Sequence, residues 1–186
     1  MSTIVVFKIK GISDLLQNNP ASMSHSNAGL GTKRIPTPEE EAQAKCYRDG
    51  DGNFYLLSEA FRSSIVGKGG AASGRRIGKF TAASRACAGI FTVEPRVVLL
   101  DAETGEPAKT YQIDTRRAVV QGQGVLRSRA CFPNWMARLP LEIDEDFITI
   151  QQVLELLNIA GKLAGVGDFR PQRRGSFGRF KAEIEA

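Results

Sequence analysis

The sequence is poor in the residues that most catalytic and metal centres need. It has one histidine, His25, set in a Ser- and Asn-rich stretch. A general base is conceivable there, but a solitary histidine in a polar loop is the plainer reading. The three cysteines, Cys46, Cys87 and Cys131, form no C-x-x-C pair and no metal-ligand spacing. That argues against zinc and against a disulfide framework, and it predicts a reducing, cytoplasmic setting. No apolar run nears the roughly 20 residues of a membrane-spanning helix. The opening MSTIVVFKIKG has an apolar patch but no basic region ahead of it and no small-residue cleavage site, so it reads as a first strand rather than a signal peptide. GKGGAASGRRIGK lacks the G-x-x-x-x-G-K-[ST] spacing, which excludes a nucleoside triphosphate loop. No internal repeat is present. These absences predict no catalytic residue, no metal and no cofactor.

What the sequence does have is segregated positive charge. The 186 residues are 42% apolar, enough for one domain with a good core. The net charge is +5. Arg62, Lys68, Arg75, Arg76, Lys79 and Arg85 follow one another without an acid. So do Arg116, Arg117, Arg127, Arg129 and Arg138. A closing segment adds Arg170, Arg173, Arg174, Arg179 and Lys181 around the single Asp168. Those segments hold sixteen of the 25 basic residues, while acids gather in PEEE (38–41) and EIDED (142–146). If the three segments meet in space they make one basic face for an anionic partner.

The element pattern predicts an α+β fold. TIVVFKIKGI is a β-branched strand. A Ser/Asn/Gly/Pro stretch follows, long enough to suggest a functional insertion. PTPEEEAQAKCY has Thr37 as N-cap, Pro38 at the first helical position and glutamates on the positive end of the dipole. Next come a turn and short strand (RDGDGNFYLL), a helix SEAFRSSIVGKG that Ser58 is placed to cap, a flexible basic loop, and a short helix TAASRACAGIF. EPRVVLLDAETGEPAKTYQIDTRRAVV reads as strand, turn at Thr104-Gly105, strand; GVLRSRACFPNWMARLPLEI reads as one extended run. The clearest helix carries Ile150, Val153, Leu154, Leu157 and Ala160 or Gly161 on one stripe. FGRFKAEIEA closes as a strand. Two helices on one face of an antiparallel sheet would give a ferredoxin-like, RNA-recognition-motif-like core.

Three of these pieces carry a resemblance. The helix ending AGKLAGVG, the basic loop, and GSFGRF entering a last strand resemble the glycine-rich loop of the RAMP superfamily, the RNA-recognition-motif-like proteins of CRISPR effector complexes. LLSEAFRSSIVG is similar to the strand-then-helix opening of their RNA-binding backbone subunits, and KIKGISDLLQNNP to their first strand with its thumb-like insertion. The pieces come in the family's order and touch about a third of the chain. The resemblance implies one RAMP-like domain over 1–186, with a thumb-like insertion at 14–57 and a basic loop and hairpin region at 67–130. It also implies a protein that binds single-stranded RNA or DNA and stacks side by side with its own copies. A stand-alone relative, carried by a phage or another mobile element, fits as well as a subunit of an effector complex. Some relatives cleave bound RNA with an aspartate near the first loop, and Asp14 in GISDLL stands there, where it is equally a turn residue.

The residues expected to touch the strand are Arg62, Lys68, Arg75, Arg76, Lys79, Arg116, Arg117, Arg127, Arg129, Phe169, Arg170, Arg173, Arg174, Phe177 and Arg179. Arginine forks suit phosphate oxygens, and glycines let a backbone approach them closely. Phe169 and Phe177 suit stacking on bases or on the core, whereas Phe132, Trp135 and Phe180 are expected in the core. The ordinary alternatives stay open: a solvated connector for the glycine- and arginine-rich loop, a solvated strand face for Arg127 and Arg129, and an ion pair with Glu59 for Arg62. Two other functions remain, an endoribonuclease of the same superfamily and a protein-interaction module that mimics a backbone subunit.

Overall fold

The structure is a computed structural model and describes residues 1–21, 36–120 and 122–185. Residues 22–31, the expected thumb with His25, lie outside the described residues. The fold is α+β. At its centre is β1 (Ser2–Gly11), whose alternation buries Phe7 and Ile9 on one face and leaves Lys8 and Lys10 exposed on the other. β1 pairs antiparallel with β11 (Trp135–Asp144), in register from Ser2↔Asp144 to Lys10↔Met136. On its other edge it pairs antiparallel with β12 (Phe180–Ile184). β6 (Ile90–Thr92) continues the sheet beyond β11, and β8 (Leu100–Asp101) joins the start of β11. The strand order is β12-β1-β11-β6.

Two helices pack on the buried face. α2 (Ser58–Val66) comes between β1 and β6 in the chain, and α4 (Ile150–Leu163) joins β11 to β12. Phe61 and Ile65 of α2 and Val153 and Leu157 of α4 meet Phe7, Ile9, Leu139, Leu141 and Phe180 of the strands. Phe132, Trp135 and Phe180 are all core residues, as expected. The α4 stripe is rotated slightly from the expected one: Leu156 is buried while Ile150 and Leu154 are only partly so. Thr149 caps α4 in a capping box with Gln152. Thr37 does the same for α1 (Pro38–Ala44) with Glu40, and Thr81 caps α3 (Ala82–Gly89).

Ser58 does not cap α2. Leu57 occupies the cap position, Ser58 is the first helical residue, and its Oγ is buried without a partner among the described residues. The loop read as flexible, GKGGAASGRRIGK, is anchored by buried Ala71 and Ala72, whose N–H groups bond to the Ser64 and Ile65 carbonyls at the end of α2. It then folds as a small hairpin, β4 (Arg76–Ile77) with β5 (Phe80–Thr81).

The long extended run breaks in two. Asn134 adopts φ 50° beside Pro133, so β10 (Gln123–Phe132) and β11 enter different sheets. β10 pairs with β9 (Gln112–Val120) as a two-stranded ribbon, and its base is extended by β2 (Leu15–Leu16) opposite Cys131 and Phe132. The Thr104-Gly105 turn exists, with the Asp101 carboxylate accepting from the Glu103 and Thr104 N–H groups. The strands it was expected to join do not pair with each other. β7 (Arg96–Val98) pairs with β3 (Tyr55–Leu57), and β9 pairs with β10. Among the described residues no helix is long and apolar enough to cross a membrane.

α4 lies directly on β12 because Gly161 has no side chain. A Cβ there would stand 2.0 Å from the Phe180 carbonyl oxygen, a backbone atom that cannot step aside. Gly161→Ala is therefore expected to cost about 1–3 kcal/mol in urea unfolding, as overpacked cores do. Leu163→Ala, on the exposed side of the same helix, is expected to stay within about 0.5 kcal/mol.

Candidate nucleic-acid interface

The ribbon β9–β10 supplies one wall of the site. Side chains alternate along a strand, so Asp114 and Arg116 of β9 share a face with Arg127 and Arg129 of β10. Arg116 and Arg127 stand directly opposite each other, an arrangement that repels unless each charge is compensated. Both are. Arg116 donates to Asp114 at 2.6 Å and lies over the Phe177 ring at 4.5 Å. Arg127 donates to Glu41 at 3.2 Å. Arg117 points to the opposite face and is exposed, so the structure does not bring it to the same wall.

Helix α1 completes the ribbon's free edge. Where β2 runs out, the Glu41 carboxylate accepts the Ser128 N–H at 2.8 Å and the Lys45 ammonium donates to the Ser128 carbonyl at 3.2 Å. The two side chains also pair with each other at 2.5 Å. An i, i+4 ion pair thus takes the place of a neighbouring strand. Burial alone would push the Glu41 carboxyl up, but Lys45, the Ser128 N–H and Arg127 outweigh it and hold its pKa below the ordinary carboxylate value. At Lys45 burial prevails over the attraction of Glu41, and with Arg129 and Arg127 nearby the ammonium's pKa falls below its ordinary value.

The opposite wall is the loop 165–179. It is not a solvated connector. The Val166 N–H bonds to the Gly178 carbonyl at 2.9 Å, and the Gly178 N–H bonds to the Asp14 carbonyl at 2.7 Å. Ile12 donates to the Arg179 carbonyl at 2.8 Å, so the loop is sewn to the end of β1. Arg129, only 7% exposed, pairs through Nε with Asp168 Oδ2 and lies over the Phe169 ring at 4.7 Å. Phe169 is held at φ 48°, a conformation that non-glycine residues rarely adopt. Each loop phenylalanine therefore stacks under an arginine of the ribbon, rather than in the core or in open solvent.

The basic residues divide by environment. Arg170 is bound into the loop: it donates to the Gly167 carbonyl at 2.9 Å and to Gln172 at 3.1 Å, and burial lowers its pKa. Arg62 is committed to the Ile90 carbonyl at 2.8 Å and to Glu59 at 3.3 Å. Arg173, Arg174 and Arg179 have no anionic partner among the described residues, and Arg173 and Arg174 are exposed. Lys68 is exposed beside the loop, its carbonyl accepting from the Gln172 amide at 2.7 Å. Arg75, Arg76 and Lys79 are exposed on the small β4–β5 hairpin against α3, with Phe80 54% exposed beneath Arg85. Ribbon and loop thus pack against each other through the Arg116–Phe177, Arg129–Phe169 and Arg129–Asp168 contacts, with Lys68 beside the loop, while Arg75, Arg76 and Lys79 lie on the β4–β5 hairpin.

Sequence reasoning missed Glu41, Lys45 and the depth of Arg129. The i, i+4 spacing of Glu41 and Lys45 was visible, but their target is a backbone 83 and more residues away. Asp14 is exposed, with Oδ2 3.8 Å from the Cys131 thiol. Burial, reinforced by Asp14 and Asp114, pushes that thiol up to about 12, and burial raises Cys46 to about 11, so neither is a nucleophile at neutral pH. Among the described residues no group of three His, Cys, Asp or Glu side chains is placed to hold a metal ion. No protein-family model matches the chain, and no curated protein matches it.

Because its folded pKa is depressed, Glu41 adds stability above its unfolded value, and that stability is lost as pH falls through the folded value. Glu41→Gln is expected to melt lower than the parent at pH 7. The difference should shrink as pH drops below about 4.3, the ordinary glutamate value. A gap that stays constant with pH would remove the carboxylate from this role.

Proposed function

We propose that this chain is a RAMP-like protein with a ferredoxin-like core that binds single-stranded RNA or DNA along its phosphates and assembles side by side with its own copies. The fold reading is supported by the antiparallel strand order β12-β1-β11-β6 and by the places of α2 and α4, each crossing between two strands of that sheet. The observation that carries the binding reading is the sorting of arginines where ribbon and loop meet. Arg116, Arg127 and Arg129 are neutralised or stacked, and among the described residues Arg173, Arg174 and Arg179 have no anionic partner. Unpaired guanidinium groups on a rigid backbone suit phosphate oxygens, and binding of this kind needs no base readout. Assembly rests on the resemblance, with the exposed ribbon, where Leu126 is 71% exposed, as the surface available to a neighbour.

The test is fluorescence anisotropy with labelled single strands across a salt series, with light scattering to follow assembly. Affinity is expected to fall steeply with salt. Arg173→Ala, Arg174→Ala and Arg179→Ala together are expected to weaken binding at least about tenfold and to reduce the slope of log K against log salt by about 2, at roughly 0.7 per phosphate lost. Arg170 stays in place, because its hydrogen bonds hold the loop and its loss would confuse folding with binding. A parent protein that remains a monomer in low and high salt and binds no strand would sink the reading and favour an acidic protein partner.

A further inference from the structure

Between the loop 165–179 and the end of β3 is an open cleft of about 500 Å³. We propose that it is a pocket for one nucleobase of the bound strand, and that it prefers guanine. This rests on the strand-binding reading and adds a base-specific position to it.

The cleft has the parts such a pocket needs. Leu56 and Leu57 give it an apolar side, and Tyr47 and Phe169 give it aromatic surface. The Tyr47 side is fixed from behind by Gln17, which is 1% exposed; its amide accepts the Tyr47 N–H at 2.9 Å and donates to the Tyr55 carbonyl at 2.9 Å. The Phe169 side is fixed by Arg129, which covers the ring and grips Asp168. Arg170 and Arg173 also line the cleft and bring positive charge next to it. Apolar and aromatic walls beside cations match a base attached to its phosphate.

Asp168 decides which base. Its Oδ2 is buried against Arg129, yet the side chain keeps 27% exposure and lines the cleft. An ionised carboxylate only accepts hydrogen bonds. Guanine is the base whose pairing edge offers a ring N–H and an amino group side by side, so it presents the most to an acceptor. Uracil offers one N–H flanked by carbonyl oxygens that a carboxylate repels. Arg129 acts here as a positioning residue. Its Nη1 is buried without a partner among the described residues, and Asp168 is the anion it pairs with.

Removing Asp168 would leave that buried charge uncompensated, so the first variant leaves it alone. Leu57, 39% exposed, lines the cleft from the end of β3, and Leu57→Trp is expected to fill it without touching Arg129. The probes are 12-nucleotide strands that are all-uridine, all-uridine with one central guanine, all-uridine with one central adenine, or fully abasic. The parent is expected to bind the guanine strand about tenfold tighter than the all-uridine strand, the scale of one good base contact. Leu57→Trp should lose that preference while binding the abasic strand as the parent does. Asp168→Asn, scored only if its melting temperature shows it folded, should lose the preference too. If the parent binds guanine, uridine and abasic strands equally, the pocket is wrong and the strand-binding reading stands. If guanine and adenine strands bind alike, the role given to Asp168 is wrong. If no strand binds, both readings fall together.

Discussion

A backbone contact that leaves no room for a side chain organises this protein's basic surface. A Cβ on Gly178 would stand 1.7 Å from the Val166 carbonyl oxygen, and Gly178 itself sits at φ 64°. Only glycine meets both conditions. The contact closes the loop 165–179 at its base, and the Gly178 N–H ties that base to Asp14 at the end of β1. Within the loop Phe169 adopts positive φ beneath Arg129, and Arg173 and Arg174 are exposed. Strain of this kind persists only where the surroundings over-determine it.

The second organising fact is how the charges are sorted. Arg129 is buried, and burying a guanidinium is costly unless an anion and stacking compensate. Asp168 and Phe169 supply both, and they belong to the loop, so ribbon and loop hold each other in place. Glu41 and Lys45 fix the ribbon from its other side by standing in for a strand. Structural and available arginines are therefore neighbours: Arg170 is bound within the loop, while Arg173 and Arg174, on the same turn, face solvent.

Much of the local structure was legible because it is set by neighbours in the chain. β1 follows from its β-branched residues and α4 from its apolar period. The start of α1 follows from Thr37 and Pro38, which act within one turn, whereas the Thr81 cap of α3 emerged only in the structure. Ser58 shows the limit of such reasoning. It has the right chemistry for a cap, but β3 runs straight into α2 and carries the cap position back to Leu57. The run 124–143 failed for a related reason: alternation shows that residues are extended but not which sheet they join, and a positive φ at Asn134 divides them.

The sequence by itself determined the α+β content, the apolar period of α4, the core aromatics Phe132, Trp135 and Phe180, and the fact that positive charge gathers in three segments with Asp168 as their single acid. These depend on residue type and on spacing within a turn or a strand. Only the tertiary structure decided which arginines are paired and which, among the described residues, have no anionic partner. Arg129 and Arg173 have the same side chain, and the pairing that buries one and leaves the other exposed reaches across dozens of residues, from Asp168 back to β10 and from Glu41 forward to it. Charge compensation is a matter of distance in space, and chain order carries no record of it until the fold closes.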